Sequence, residues 1–287
     1  MSAAAAPLAT LAADTGSPLA TNQYPWITFY KRQGRDFQKE LDTALGEAAA
    51  AGFQGWECAC PDPSYLDTLA PLLKKHGLDT DSIYVNSLLY DPAKAEESIQ
   101  HVLAIAHRAR DLGTRIIVTN PSPIRPADKN DAQIQFQAQS LDRLGEELRK
   151  LGVALAYHNH DAELRHGARE FHHMLTATRP ENVKFCLDAH WVYRGCGNSQ
   201  TALFDVLEMY HSRIIEVHVR NSHGGVWTES FHGLDDIDYP RLFTYLQAQG
   251  IRPRITLEQC VEDASPSTLD GLSAHRAGVE ELRRMGV

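Results

Sequence analysis

The sequence predicts an α/β protein with a (β/α)8 (TIM) barrel as its single domain. Three observations predict it. Eight short apolar stretches alternate with eight helical ones along the chain, which is the count of that barrel. No Gly-rich phosphate-binding turn follows the first strand, as a doubly wound open sheet would normally require. Four consecutive strands of the second half end on ionisable side chains, a pattern suited to a barrel mouth.

The elements follow in order. Residues 1–21, rich in Ala and Pro, with no basic segment and with Asp14 interrupting, read as a disordered tail, and residues 22–287 as the barrel. Trp26 to Tyr30 (WITFY) is the expected first strand. A helix over Asp36 to Ala51 closes at Gly52, where a residue free to turn left-handed is favoured. FQGWEC gives strand two, ending near Glu57. SYLDTLAPLLKKH is helical up to Gly77, and DSIYVNSLLY is strand three. Asp91-Pro92 opens a helix that keeps a 3.6-residue apolar period to Gly113. TRIIVTN is strand four, and the proline-rich loop from Pro121 to Pro126 leads to a helix around Ala132 to Leu151. Strand five is GVALAYHNH. VKFCLDAH, RIIEVHVRN and RPRITLEQ are strands six to eight. Helices are expected around Glu170–Thr178, Thr201–His211, Tyr239–Gln249 and Leu269–Met285.

Composition narrows the function classes. Hydrophobic residues make up 43% and charged residues 23%, enough apolar matter for a large core. A net charge of −9 argues against a nucleic-acid-coating protein, because phosphate neutralisation needs many Lys and Arg contacts. No apolar run reaches bilayer-spanning length. Five cysteines without framework spacing point to a reducing compartment, and a cytoplasmic location is the default expectation.

Strand parity then gathers a site. Alternate residues of a barrel strand face the helices or the interior. On strand five the bulky Val153, Leu155 and Tyr157 oppose Ala154, Ala156, His158 and His160. On strands six to eight, Phe185 and Leu187 oppose Cys186 and Asp188; Val217 and Val219 oppose Glu216 and His218; Ile255 and Leu257 oppose Thr256 and Glu258. His158, Asp188, His218 and Glu258 are therefore expected at one mouth. A mixed His/carboxylate set suits one divalent ion, Mn, Co, Mg or Zn, with open positions. The bland alternative is a buried His–carboxylate network without metal.

The ordered series GFQGWE, YHNHDAE, LDAHWVYRGCGN, VHVRN, GLDDIDY and TLEQ resembles the xylose isomerase-like TIM barrels, which include sugar phosphate isomerases/epimerases and endonuclease IV. The resemblance runs from about Trp26 to the C-terminus. It implies metal ligands at Asp188, His218 and Glu258. At the strand-five position, where a Glu is common in the family, this chain has His158, followed by His160, as in a branch carrying an HNH motif. The resemblance further implies an enzyme of carbohydrate metabolism that removes a proton beside a metal-bound carbonyl of a sugar, keto-sugar or cyclitol. An isomerase or epimerase is expected, with a lyase (dehydratase or keto-glycoside elimination) as the alternative. An endonuclease IV-like DNA-repair enzyme and a non-catalytic sugar-binding barrel are further rivals. Glu258, His158 and His160 are the candidate proton movers, since a histidine suits proton transfer near neutral pH. Barrels of this kind are often homo-oligomers.

Four residues are candidate substrate contacts: Glu57 at the end of strand two, His190, Trp191 and Arg220. Three of them have a structural alternative, a salt bridge for Glu57, loop packing for Trp191, and pairing with Asp236 for Arg220. Asn221 stands where an Asp is usual in the family. SHGGVWTESFHG reads as a mobile active-site loop carrying His223 and His232.

Overall fold

The computed structural model describes residues 18–123 and 128–287. The tail over residues 1–17 lies outside them. Eight parallel strands form the barrel: β1 (Leu19–Asn22), β2 (Gly55–Glu57), β3 (Ser82–Tyr84), β4 (Ile116–Thr119), β5 (Ala154–His158), β6 (Val183–Asp188), β7 (Ile214–Val219) and, after a small hairpin, β10 (Arg254–Leu257). They are ordered β2-β1-β10-β7-β6-β5-β4-β3. Isolated bridges from Gly55 to Asp79 and from Ala59 to Tyr84 join β2 to β3 and bring the ring close to closure.

Ten α-helices stand among the described residues: α1 (Gln23–Arg32), α2 (Leu41–Ala51), α3 (Pro63–His76), α4 (Ala95–Arg110), α5 (Asp131–Lys150), α6 (Arg165–Thr176), α7 (Ala189–Gly195), α8 (Gln200–Tyr210), α9 (Tyr239–Ala248) and α10 (Gly271–Arg284). The hairpin pairs β8 (Ser222–His223) with β9 (Val226–Trp227).

The first strand corrects the sequence reading. Residues 26–30 are helical, not extended, and β1 is the small LATN stretch before them. The Asn22 side chain accepts from the Tyr24 amide and caps α1, and Trp26, Phe29 and Tyr30 are buried at helical spacing. Residues 19–21 of the expected tail are thus buried barrel strand. The Asp91-Pro92 pair sits in a turn, and α4 starts later, at Ala95. Two elements were not anticipated, α7 directly after β6 and the β8–β9 hairpin within the expected mobile loop.

The expected parity holds. Leu155, Tyr157, Phe185, Leu187, Val217, Val219, Ile255 and Leu257 belong to the large core beneath the helices. Inside the barrel the smaller Val118, Ala156 and Cys186 pack together. At about 25 cal/mol per Å2 of buried apolar surface, the strand–helix layer is the main source of folding energy. The narrow inner layer leaves room for polar side chains along the axis.

Candidate metal and substrate site

The small face of β5 ends at His158, whose imidazole is buried. Neither of its ring nitrogens has a hydrogen-bond partner, although Nε2 lies 3.6 Å from Asp188 Oδ2. A buried, unpartnered imidazole costs free energy unless something else binds it. The intervening Asn159 points to the other face. Its side chain exchanges two 3.2 Å hydrogen bonds with the backbone of Asp188, tying the end of β5 to β6. Asn120, at the end of β4, donates to the His158 carbonyl at 2.9 Å. The HNH stretch is thus locked from both sides.

Asp188 uses its two oxygens differently. Oδ1 accepts the Trp191 amide at 2.8 Å and caps α7. Oδ2 meets Arg220 Nη2 at 3.2 Å. Burial would raise its pKa, but the Arg220 guanidinium, with His158, holds it well below the usual carboxylate range. Glu258 is likewise lowered against its burial, by a 2.6 Å hydrogen bond with His218 Nδ1 and by Arg220. Burial alone would lower His218, yet the adjoining Cys186 and Glu57 raise it above an ordinary histidine.

The ligand atoms of His158, Asp188, His218 and Glu258 all lie within 4.8 Å of one another. Two imidazoles, one of them the otherwise orphaned His158, and two carboxylates form a donor set that could hold a divalent metal ion. These four are the residues expected from strand parity.

Above them opens a cavity of about 400 Å3 lined by Asn22, Tyr84, Asn120, His158, His160, Trp191, Arg220 and Glu258, among others. His160 lines it too. Its ring stands edge-on to His158 and Trp191, 4.8 and 5.6 Å between centroids, and burial beside the His158 ring lowers its pKa to about 4. Arg220 is sandwiched by indoles, 4.8 Å from the Trp191 ring and 4.3 Å from that of Trp227. It pairs with Asp188 and Glu258, not with Asp236 as one alternative had it.

Two expected substrate contacts are placed elsewhere. Glu57 is fully buried below His218, bonded to Asn22 and Ser82. His190 is buried among Trp191, Tyr193 and Trp227, its Nε2 2.9 Å from Ser222 Oγ. Its pKa falls to about 2 through burial and the neighbouring Arg220. Neither lines the cavity. His223 and His232 are exposed and paired locally with Asp235 and Ser230. The sequence reading passed over Tyr84, which lines the cavity, Glu163, buried and accepting the His160 amide at 2.7 Å, and Trp227. Tyr84 was legible as an inward residue of strand three; Trp227 depends on a hairpin that only folding creates.

No described helix is long and apolar enough to cross a membrane. The model of the xylose isomerase-like TIM barrel family matches residues 45–285. An inosose dehydratase of Mesomycoplasma hyopneumoniae strain 7448 is 24% identical over 63% of this chain, which spans about 62% of that relative's length. The rhizopine catabolism protein MocC of Rhizobium meliloti is 24% identical over 85% of this chain and 81% of its own. Among solved structures, a sugar phosphate isomerase/epimerase from Parabacteroides distasonis superposes with a TM-score of 0.73 at 17% identity, over 96% of both chains. A D-allulose 3-epimerase from Methylomonas sp., in complex with D-allulose, has a TM-score of 0.68 at 16% identity, over 94% of this chain and 97% of that one. The IOLI protein with a bound zinc atom has a TM-score of 0.68 at 17% identity, over 94% and 98%. At these identities the structural likeness concerns the fold.

Proposed function

The chain belongs to the xylose isomerase-like TIM barrels, and from that premise we propose that it is a divalent-metal-dependent isomerase or epimerase of a sugar, keto-sugar or cyclitol. One observation carries the reading: four side chains from four consecutive strands converge at the floor of a cavity, and His158 among them lacks any other partner. His158, Asp188, His218 and Glu258 would hold the ion, which when bound supplies a positive centre that polarises a carbonyl and its neighbouring hydroxyl.

The remaining work falls to the chain. Arg220, fixed between two indoles and two carboxylates, presents fixed positive charge to a substrate oxygen. Trp191 offers an aromatic wall to the C–H face of a sugar ring. Glu258 reaches both the cavity and His218, and is the group we assign to take the proton from carbon. His160, held neutral at pH 7, stands across the cavity as the second proton carrier. His158 is the alternative on the same strand.

A lyase is the second reading, favoured by the relatives named inosose dehydratase. Both outcomes begin with the same proton abstraction. Incubating the metal-loaded protein with candidate keto-sugars and inososes in D2O, followed by NMR, separates them. Deuterium at the carbon beside the carbonyl with an epimeric or isomeric product supports the first reading. Loss of water with a new C=C or dicarbonyl product supports the second. No exchange with any polyhydroxylated carbonyl compound in saturating metal contradicts both.

A further inference from the structure

The axis of the barrel below the site is filled by charged groups that no substrate can reach. Glu57 and Glu216 are both fully buried. Ser82 Oγ lies between them, 2.9 Å from Glu57 Oε2 and 2.7 Å from Glu216 Oε2. Thr256 donates to Glu216 Oε1 at 2.6 Å, and Asn22 donates to Glu57 Oε1 at 2.5 Å. Burying two carboxylates is costly unless a donor or a positive charge meets them. The group that stands over both is His218. Its Nε2 lies 3.2 Å from Glu57 Oε1 and 3.8 Å from Glu216 Oε1, while its Nδ1 faces Glu258 on the cavity side. Neither Nε2 contact makes a hydrogen bond, the one to Glu216 being too long, so that nitrogen is a buried polar atom turned toward acceptors it has not engaged.

We propose that Glu57 is a positioning residue of the metal centre: it takes the Nε2–H of His218 and so keeps the Nδ1 lone pair directed at the ion. The inference rests on the metal reading given above. Its physical basis is general. A ligating imidazole has one nitrogen for the ion and one N–H to place, and a carboxylate on that N–H fixes the tautomer and the ring plane and raises the basicity of the ligand. Glu57 is the nearer of the two carboxylates and is itself clamped by Asn22 and Ser82, so it can orient the ring without moving. Glu216 braces the clamp through Ser82 and Thr256. The short β2 strand thus contributes to the centre from beneath, although its carboxylate never meets the substrate.

The test uses the full chain labelled with [15N]histidine and titrated with Zn2+, the His218 ring being assigned by its loss in His218→Gln. In the wild type, zinc should leave His218 protonated at Nε2 and shifted at Nδ1. Glu57→Gln, which keeps volume and a partner for Asn22, should keep its thermal midpoint and bind zinc roughly 10- to 100-fold more weakly. Zinc bound through Nε2 of His218, or a folded Glu57→Gln protein with unchanged zinc affinity, overturns the inference and leaves the metal reading standing. Should Glu57→Gln not fold, the wild-type tautomer decides alone. A wild type that takes up no zinc overturns the metal reading and this inference with it.

Discussion

Asn221, at the end of β7, is fully buried and uses both ends of its amide. Its Nδ2 donates to the carbonyls of His232 and Ile237 at 2.8 and 2.9 Å, and its Oδ1 accepts from the amides of Ser222 and Ile237, both at 3.0 Å. The family's usual Asp lacks the two donors, so here it would face two carbonyl oxygens with nothing between. Asn221→Asp is therefore predicted to cost about 1–3 kcal/mol, the penalty of unsatisfied buried polar groups, seen as a lower urea midpoint. At the floor of the cavity, Glu258→Gln should lower kcat by roughly 10^2 to 10^4-fold if that carboxylate moves the proton. Its measurement in saturating metal separates a lost base from a lost ligand. Single residues were legible where strand parity placed them, as for His158, Asp188, His218 and Glu258. They were not legible where a side chain's direction depends on partners distant in sequence. Glu57 and His190 read as mouth residues because each adjoins a strand end, yet the structure turns one down the axis and the other behind two indoles.

Elements that carry a sustained period were read correctly, and the misreadings, WITFY, α7 and the β8–β9 hairpin, all fall on short stretches. WITFY is rich in residues that favour strands, and five residues are too few to separate a period of 2.0 from one of 3.6. The cap from Asn22 and burial of Trp26, Phe29 and Tyr30 on one face decide for a helix. The β8–β9 hairpin turns on Gly224 and Gly225, both left-handed with φ of 57 and 82°. It places Trp227 between Arg220 and Arg194, 4.3 and 4.7 Å from its ring. Trp227→Ala should cost about 3–5 kcal/mol, as large aromatic truncations do, and should raise KM because Arg220 loses one wall. On α10, His275 stacks on Trp26 at 4.1 Å and meets Phe29 and Phe53 edge-on. Burial lowers its pKa to about 4 from an ordinary 6.5. The unfolded chain therefore binds that proton first, and stability is lost as pH falls through the window from 6.5 to 4, by up to about 3 kcal/mol. Urea titrations at pH 7 and pH 4.5 check this, and His275→Phe should show a smaller drop between them.

For the whole molecule, the barrel supplies a rigid ring whose strand ends bring His158, Asp188, His218 and Glu258 together from residues a hundred positions apart. Such a floor gathers two carboxylates and two imidazoles within 4.8 Å, a cluster that an ion would tie together. Ion binding to the folded chain alone stabilises it by about 2.7 kcal/mol at one hundred times Kd. A chelator should thus lower the thermal midpoint of the protein, and added Mn2+, Co2+ or Zn2+ should restore it. The most direct measurement is the metal content of the purified protein by mass spectrometry, wild type beside Asp188→Asn, His218→Ala and Glu258→Gln. About one equivalent of a divalent metal is expected in the wild type, from expression or on titration, and its loss in the three variants would support a metal centre at these residues. A wild type that neither carries nor takes up metal would contradict it, and would leave His158 as an unpaired imidazole at the end of a strand.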